Sequence, residues 1–586
     1  MKVLSIHPGH NSTIALAESG MILGILSQEK CDNVKNSAAF PLDAINYLLK
    51  EFSWQISDID EVVIAGHEVY PARAYDYLYD AKNKIENSSN VVGAIKKIRD
   101  GNLGRLFPKA FGMLQKYRAD ELIKEGSVEL KEQLKNIGLA NKKITHVEHH
   151  ECHAYSAYYS FVASDSNEPA LIFTMDGSGD ELCATVSIVN ENGKIERLAT
   201  TPATASLGGI YSNTTRFLGM KILEHEYKVM GLAAYAKDQY MLDTYERIFK
   251  STIWLSEKDP LVFESKIESS KFYDYLAGCA VGERFDNMAG ALQYLTEELV
   301  VQWIKNAIQK TWINRVFTGG GVFMNVKLNR RIQEMEEVKQ AFFMPSCGDE
   351  SNPIGAIYSH AVSNNFPTKP LDNLYLGVSY TDDDIEKFLI DNKIAETYVV
   401  TKYEDIDDKV SELLSEQQIV ARFAKRCEWG ARSLGNRAIL AHPSHMESFY
   451  TVNDYIKCRD FWMPFAPSML DTAAPKYLKG YQPEKCKAPH MITAYAASEL
   501  AVQQLRAALH QGDHTLRPQV VEQKANPDYY RLIQLFEAKT GVGSVLNTSF
   551  NLHGYPLVAT PEQAIMTLEN SGLKYLALGS FLITKK

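Results

Sequence analysis

The sequence predicts an α/β protein of two domains, and three features carry that prediction. Short runs of apolar and β-branched residues alternate with longer stretches of helical spacing, as in residues 2–7 ahead of 41–51 and 315–317 ahead of 322–332. A strand–tight turn–strand layout at the N-terminus recurs at residues 171–189 around Asp176-Gly177-Ser178-Gly179-Asp180. Ser363-Asn364-Asn365-Phe366-Pro367-Thr368-Lys369-Pro370 is the best linker in the chain, so domains of residues 1–365 and 371–586 are expected.

A chain of 586 residues, 45% of them hydrophobic, can bury large cores. Its net charge of −10 argues against a nucleic-acid partner, which needs basic surface, and mildly favours a cationic small molecule. The eight cysteines are scattered with no CxxC pair, so neither a zinc ribbon nor a redox dithiol is signalled, and a chain of this size needs no disulfides, which points to the cytoplasm. The N-terminus runs straight into a strand pattern without signal-peptide anatomy, and no apolar run reaches about 18 residues, so no membrane span is expected. A homo-oligomer is compatible with this composition.

In chain order, residues 2–7, 13–17 and 21–28 read as strands, with His7-Pro8-Gly9-His10-Asn11-Ser12 as the first turn. This matches the opening hairpin of an actin/sugar-kinase/Hsp70-type (ASKHA) domain, where backbone N–H groups of the turn face phosphates, and equally an ordinary hairpin. A helix at 41–51 and a strand at 61–65 follow, and residues 70–138, polar and rich in Tyr, Lys and Arg, read as a helical insertion. After a strand at 143–147 comes His149-His150-Glu151-Cys152-His153. On a helix, His149 and His153 leave one face a turn apart and can reach one ion. Asp176 and Gly177 can serve a metal or an anion, or form an acidic turn. Residues 206–218 and 287–310 are helical. Thr318-Gly319-Gly320-Gly321 between a strand and a helix places N–H groups where a nucleotide would suit them, although it is neither a Walker A loop nor GxGxxG. Asp349, before a helix at 352–360, is the candidate third metal ligand and reads equally as a helix cap. Two imidazoles with one carboxylate suit iron(II), with manganese or zinc as alternatives.

The second domain should open with a strand at 373–377, then a helix to residue 391, a helix at 404–417 and a strand at 418–424. Within it, Arg422, Lys425, Arg426, Arg432, Arg437, Lys457 and Arg459 crowd among Gly and Asn. Cations bunched in an acidic protein suggest a phosphate-bearing ligand, because guanidinium forks match phosphate oxygens, and a surface patch is the alternative.

Together the stretches HHECHA, EYKVMGLAAY, FTGGGVFMN, EWGARSLGNRAIL, FWMPFAP and LNTSFN resemble the O-carbamoyltransferase family of the nodulation (NodU), cephamycin (CmcH) and tobramycin enzymes. The resemblance runs over most of the chain and implies an ASKHA-like N-terminal domain and a YrdC-like C-terminal domain. The latter kinship rests on a Lys-x-Arg and Ser-x-Asn signature, here Lys457-Cys458-Arg459 and Ser549-Phe550-Asn551. It implies that carbamoyl phosphate and ATP, with Mg2+, give carbamoyl-adenylate and pyrophosphate in the second domain. The first domain then passes the carbamoyl group to an alcohol of a small natural product or saccharide. A kinase for a small molecule and a non-catalytic nucleotide-binding regulator are the other readings.

In that scheme Lys457, Arg459, Arg432 and Arg517 neutralise the phosphates. Ser549 and Asn551 orient them, with Arg437, Asn453 and Asn547 in the same group. His149, His153 and Asp349 hold the metal, and His10 is the general base. Asp176, Gly177, Gly319, Gly320, Gly321 and Asn325 hold the adenylate, while Tyr211, Glu226 and Lys228 meet the acceptor. An anion pocket in each domain is expected. Two residues depart from the family pattern: Asn11 stands where Asp is usual, and Ala431 stands where Pro is usual before Arg432.

Overall fold

The structure is a computed structural model describing residues 1–75, 108–163, 166, 168–190 and 194–586; within the helix Pro108–Asn136 only the backbone is described up to residue 118. Of the insertion expected at 70–138, residues 76–107 lie outside the described residues, and Pro108–Asn136 is the long helix of its second half.

The first half is one sheet topology used twice. Strands β1 Lys2–His7, β2 Thr13–Glu18, β3 Met21–Ser27, β4 Glu61–Ala65 and β5 Lys143–Val147 form a sheet of order β3-β2-β1-β4-β5. The first three form an antiparallel meander, while β4 and β5 add in parallel to β1. Strands β6 Ala170–Gly179, β7 Leu182–Val189, β8 Ile195–Pro202, β9 Arg315–Gly319 and β10 Gln340–Phe343 repeat the pattern in the order β8-β7-β6-β9-β10. This duplicated meander-plus-parallel sheet is the ASKHA-like arrangement.

The inner strands β1, β4 and β9 are buried almost throughout, as expected where both faces are covered, whereas the edge strand β5 is partly exposed. A helix leaves the last strand of each sheet: α1 His149–Tyr159 after β5 and, further on, Asn352–Ser363 after β10. Between them the chain adds α2 Leu207–Phe217, α3 Glu226–Leu232, α4 Phe285–Thr311 and α5 Val326–Glu334, so that Asn352–Ser363 is α6. Helices α1 and α6 lie between the sheets, α1 against β6 and β9, α6 against β1 and β4. Their N-terminal turns therefore meet at one end of the sandwich. Phe173, Trp303 and Phe317, all fully buried, anchor the core between the second sheet and α4.

Residues 398–585 contribute an eight-stranded mixed sheet, with separate buried clusters around Tyr529, Ile533 and Phe536 and around Phe423, Leu576 and Phe581. Its strands are β11 Tyr398–Lys402, β12 Val420–Phe423, β13 Arg437–Ala441, β14 Ala466–Leu470, β15 Gln519–Val521, β16 Ser544–Ser549, β17 Tyr575–Leu578 and β18 Phe581–Lys585, in the order β11-β18-β17-β12-β13-β16-β14-β15.

Two expectations are corrected. Residues 373–377 are not a strand. Leu376 accepts from Ile25 N–H of β3 and Gly377 donates to Cys427 O, so the segment spends its hydrogen bonds stitching the two halves together. The expected helix at 322–332 is broken into a short turn, Gly321–Met324, and α5, because the Asn325 side chain caps the helix at Leu328 N–H. The eight cysteines are free thiols, and among the described residues no helix is long and apolar enough to cross a membrane.

Candidate active site

Two pairs of equivalent pieces, one of each pair from each repeat, meet at one point. The N-terminal half of α1 brings His149 and His153, and the short turn Asp349–Ser351 just before α6 brings Asp349. The end of β6 brings Asp176, the end of β1 brings His7, and the β1–β2 connection brings His10. The first turn of α1 is held by two carboxylates. The Glu148 side chain accepts from the N–H of His150 and Glu151, and Asp180 accepts from His149 N–H at 2.7 Å while also holding the N–H groups of His67 and Glu68. Acidic groups there satisfy orphan donors and oppose the helix dipole.

His149 and His153 do leave one face. Their Nε2 atoms are 3.1 Å apart, and His153 Nε2 lies 3.3 Å from Asp176 Oδ2 and 3.7 Å from Asp349 Oδ1. His149 Nε2 is 3.5 Å from the same Oδ1. Donor atoms of all four residues lie within 4.8 Å of one another, and Asp349 Oδ1 is buried without a hydrogen-bond partner. Two imidazoles and two carboxylates converging on an unfilled acceptor fit a divalent cation. Without one, burial works against the His153 charge, yet Asp176 and Asp349 overcome it and push the imidazole up to about 9. The facing histidines hold Asp349 well below the carboxylate range despite burial. Asp176, expected at the nucleotide, thus stands within the metal-ligand group; its other oxygen accepts from Gly177 N–H and it also receives Gly321 N–H at 2.7 Å.

This cluster opens onto a cavity of about 400 Å³ whose far wall is the second domain. His10, Asp176, Gly177, Tyr211, Glu226, Gly321, Asn325 and Asp349 line it from one side, and Arg432, Lys457, Arg459, Arg517, Ser549 and Asn551 from the other. The expectation of one pocket per domain is corrected: both sets face one shared space, because the domains are clamped together at its edge. Ser346 Oγ donates to Glu350 Oε1 at 2.5 Å and accepts from Ala431 N–H at 3.2 Å, tying the loop that carries Asp349 to the loop that carries Arg432. Gly430 is at φ +97°, and a Cβ there would stand 2.7 Å from Ser346 Cβ, so glycine is required.

The far wall is cationic and unpaired. Among the described residues no carboxylate pairs with Arg432, Arg459 or Arg517, and the Nε of each is buried without a partner. Burial pulls Arg517 well below its ordinary range, and the neighbouring charges of Arg432 and Arg459 add to it; Arg459 falls to about 10 for the same first reason. Lys457 Nζ donates to Ser549 O at 2.5 Å, Asn551 O at 2.9 Å and the Asn551 side chain, so the Lys-x-Arg and Ser-x-Asn segments are joined.

Both halves of the chain match family models, described as Carbamoyltransferase N-terminus over residues 2–358 and Carbamoyltransferase C-terminus over residues 411–585. The chain belongs to the carbamoyltransferase family. This carbamoyltransferase is 30% identical to an uncharacterized protein of Methanocaldococcus jannaschii, covering 96% of each chain. It is 26% identical to nodulation protein NolNO of Sinorhizobium fredii over 98% of this chain and 79% of that one. It is 30% identical to the 3'-hydroxymethylcephem-O-carbamoyltransferase of Amycolatopsis lactamdurans over 29% of this chain and 32% of that one. It is an enzyme of carbamoyl transfer.

Several sequence assignments of the carbamoyltransferase fall away from the cavity. Arg437 is fully buried, donates to the carbonyls of Ala424, Lys425 and Asn436 and packs on the Phe423 ring, so it is structural. Asn547 bonds Ser433 O and Ser468 Oγ beneath the sheet, and Asn453 holds Arg459 O, shaping the loop rather than meeting a ligand. A Cβ on Gly319 would stand 2.8 Å from His153 O and one on Gly320 2.3 Å from Met175 O, so these glycines serve backbone contact with α1 and β6 and do not line the cavity. Lys228 is buried and pairs with Asp460 across the domain boundary at 3.0 Å. Tyr211 donates to Gln293 and Glu226 accepts from Ser212 and Leu223, both at the cavity wall. Asn11, at φ 58°, sits where Asn tolerates the left-handed region.

Sequence reasoning missed His7, whose Nε2 lies 3.6 Å from Asp349 Oδ2, and Glu350. The spacing His7-Pro8-Gly9-His10 was the available signal for the first. Glu350, next to a candidate ligand, carried no signal of its own.

Proposed function

We propose that the chain is an ATP-dependent O-carbamoyltransferase that builds carbamoyl-adenylate from carbamoyl phosphate and passes its carbamoyl group to a hydroxyl of a small natural product or saccharide. The observation that carries this reading is the single cavity with unpaired guanidinium groups on one wall and the histidine–aspartate cluster on the other.

The atoms balance as follows. Water cleaves carbamoyl phosphate to carbamate and phosphate. A carbamate oxygen attacks the α-phosphorus of MgATP and pyrophosphate leaves. The acceptor oxygen then attacks the carbamoyl carbon, the bond to AMP breaks, and the hydroxyl proton is released. Arg432, Arg459 and Arg517 supply the charge that the polyphosphate and its transition state require, already desolvated and oriented. Lys457 holds the Ser549–Asn551 turn, through which a YrdC-like adenylate-forming role enters. A divalent ion at His149, His153, Asp176 and Asp349, iron(II) as first choice and manganese or zinc as alternatives, would supply Lewis acidity at the adenylate. Tyr211 and Glu226 meet the acceptor, and the carboxylate suits a cationic one.

The test is incubation with ATP, carbamoyl phosphate and candidate alcohols, reading pyrophosphate and AMP. Release of ADP instead, or no pyrophosphate with any acceptor, would sink the reading. Lys457→Ala is expected to abolish adenylate formation and His153→Ala to spare it while blocking transfer.

A further inference from the structure

Asp349 presents its two oxygens to two different sets of imidazoles. Oδ1 faces His149 and His153 at 3.5 and 3.7 Å, while Oδ2 faces His10 Nδ1 at 3.2 Å and His7 Nε2 at 3.6 Å. Donor atoms of His7, His10 and Asp349 lie within 4.8 Å of one another. We propose that this carbamoyltransferase holds two divalent cations, the second in a site made of His7, His10 and Oδ2 of Asp349, with Asp349 bridging the pair.

The repeat architecture supports this. The end of β6 contributes Asp176 to the first ion, and its topological counterpart, the end of β1 with the turn that follows, contributes His7 and His10 to the second. His7 is a side chain with little other reason to be where it is. It is 6% exposed, its ring lies edge-on to His149, its Nδ1 has no hydrogen-bond partner, and its Nε2 is aimed at Asp349 Oδ2 from 3.6 Å, beyond hydrogen-bonding distance. A cation on Nε2 accounts for a buried imidazole in that orientation. Imidazole nitrogen with carboxylate oxygen suits manganese, iron(II) or zinc. His10 and Asp349 line the cavity, so remaining coordination positions are open to phosphate or hydroxyl oxygens.

The site stands on this geometry, whereas its use in catalysis rests on the carbamoyl-transfer reading above. There, His149, His153 and Asp176 would hold one ion and His7 and His10 the other, and the pair would supply Lewis acidity to the attacking and departing oxygens. The new bond is oxygen to carbamoyl carbon, the broken one is carbon to AMP oxygen, and the proton goes to the departing phosphate. His10, expected from the sequence as the general base, becomes a ligand.

The experiment is anaerobic titration of the metal-stripped full chain with Mn2+ alone, counting bound ions and recording the electron paramagnetic resonance spectrum. Two Mn2+ per chain with an exchange-coupled spectrum are expected. His7→Ala and His7→Gln should each take one Mn2+ with the uncoupled signal. One equivalent in the wild type, or two that do not couple, overturns the proposal. If both variants fail to fold, the wild-type count and coupling decide alone. Pyrophosphate and AMP release are read separately: two coupled ions without those products would overturn the adenylate mechanism and leave the second site standing.

Discussion

The Nε2 atoms of His149 and His153 stand 3.1 Å apart, closer to each other than to either carboxylate that faces them. At most one of the two nitrogens can carry a hydrogen along that line. The pair is therefore arranged for something that accepts lone pairs from both, which is the chemistry of a cation.

His153→Ala removes one ligand and leaves the guanidinium wall untouched. Loss of a mere outer-shell partner typically costs metal affinity or activity about 10–100-fold, so loss of a ligand should reduce transfer by more than about 100-fold. Metal content and carbamoyl-ester formation, measured beside pyrophosphate release, check this. A parallel fall in pyrophosphate release would show that the two walls do not work separately.

Arg517→Met tests the strain stored in the cationic wall. Burial, with the like charges of Arg432 and Arg459 beside it, disfavours the Arg517 cation in the ligand-free protein. Its removal should raise the stability of the ligand-free protein by about 0.5–2 kcal/mol while ATP binding collapses. Urea unfolding and nucleotide titration read the two effects. A destabilised variant that still binds ATP would contradict the assignment.

Asp180→Ala leaves three backbone N–H groups, of His67, Glu68 and His149, without their shared carboxylate. Stability should fall by about 1–3 kcal/mol. Transfer should fall with it, because the turn that carries His149 loses its anchor. Asp180→Asn, which keeps an acceptor oxygen, should recover part of both.

His442 gives a pH dependence remote from the cavity. Its Nδ1 accepts from Ser444 N–H at 3.2 Å, and its ring packs edge-on against Phe536, so the native state needs it neutral. Burial, with His445 nearby, lowers it from 6.5 to about 4. The unfolded chain takes up the proton first as pH falls, so stability is full above about 6.5 and is lost progressively down to about 4. The loss should be on the order of 1–2 kcal/mol, and His442→Gln should flatten that part of the stability profile.

Much of this was legible in local sequence. Four-residue spacing on a helix brings His149 and His153 to one face whatever surrounds them, and the apolar strand runs with their glycine-rich turns were enough for the α/β class. Arg437 misled because a basic residue among Gly and Asn reads the same whether its donors meet phosphate or backbone carbonyls. Gly319 and Gly320 misled because close approach to a helix and close approach to a ligand both call for the missing Cβ.

What the sequence by itself determined is the set of local shapes and the chemistry they carry: the paired imidazoles, the acidic turn, the Lys-x-Arg and Ser-x-Asn segments. Only the tertiary structure decided that Asp176 joins the metal-ligand group, that His7 and His10 face the second oxygen of Asp349, and that both walls share one cavity. The contacts of His7 and His10 with Asp349 join residues more than 300 positions apart, through two copies of one sheet topology packed on each other. Periodicity reports which face a side chain leaves, and carries no information about which distant face it will meet.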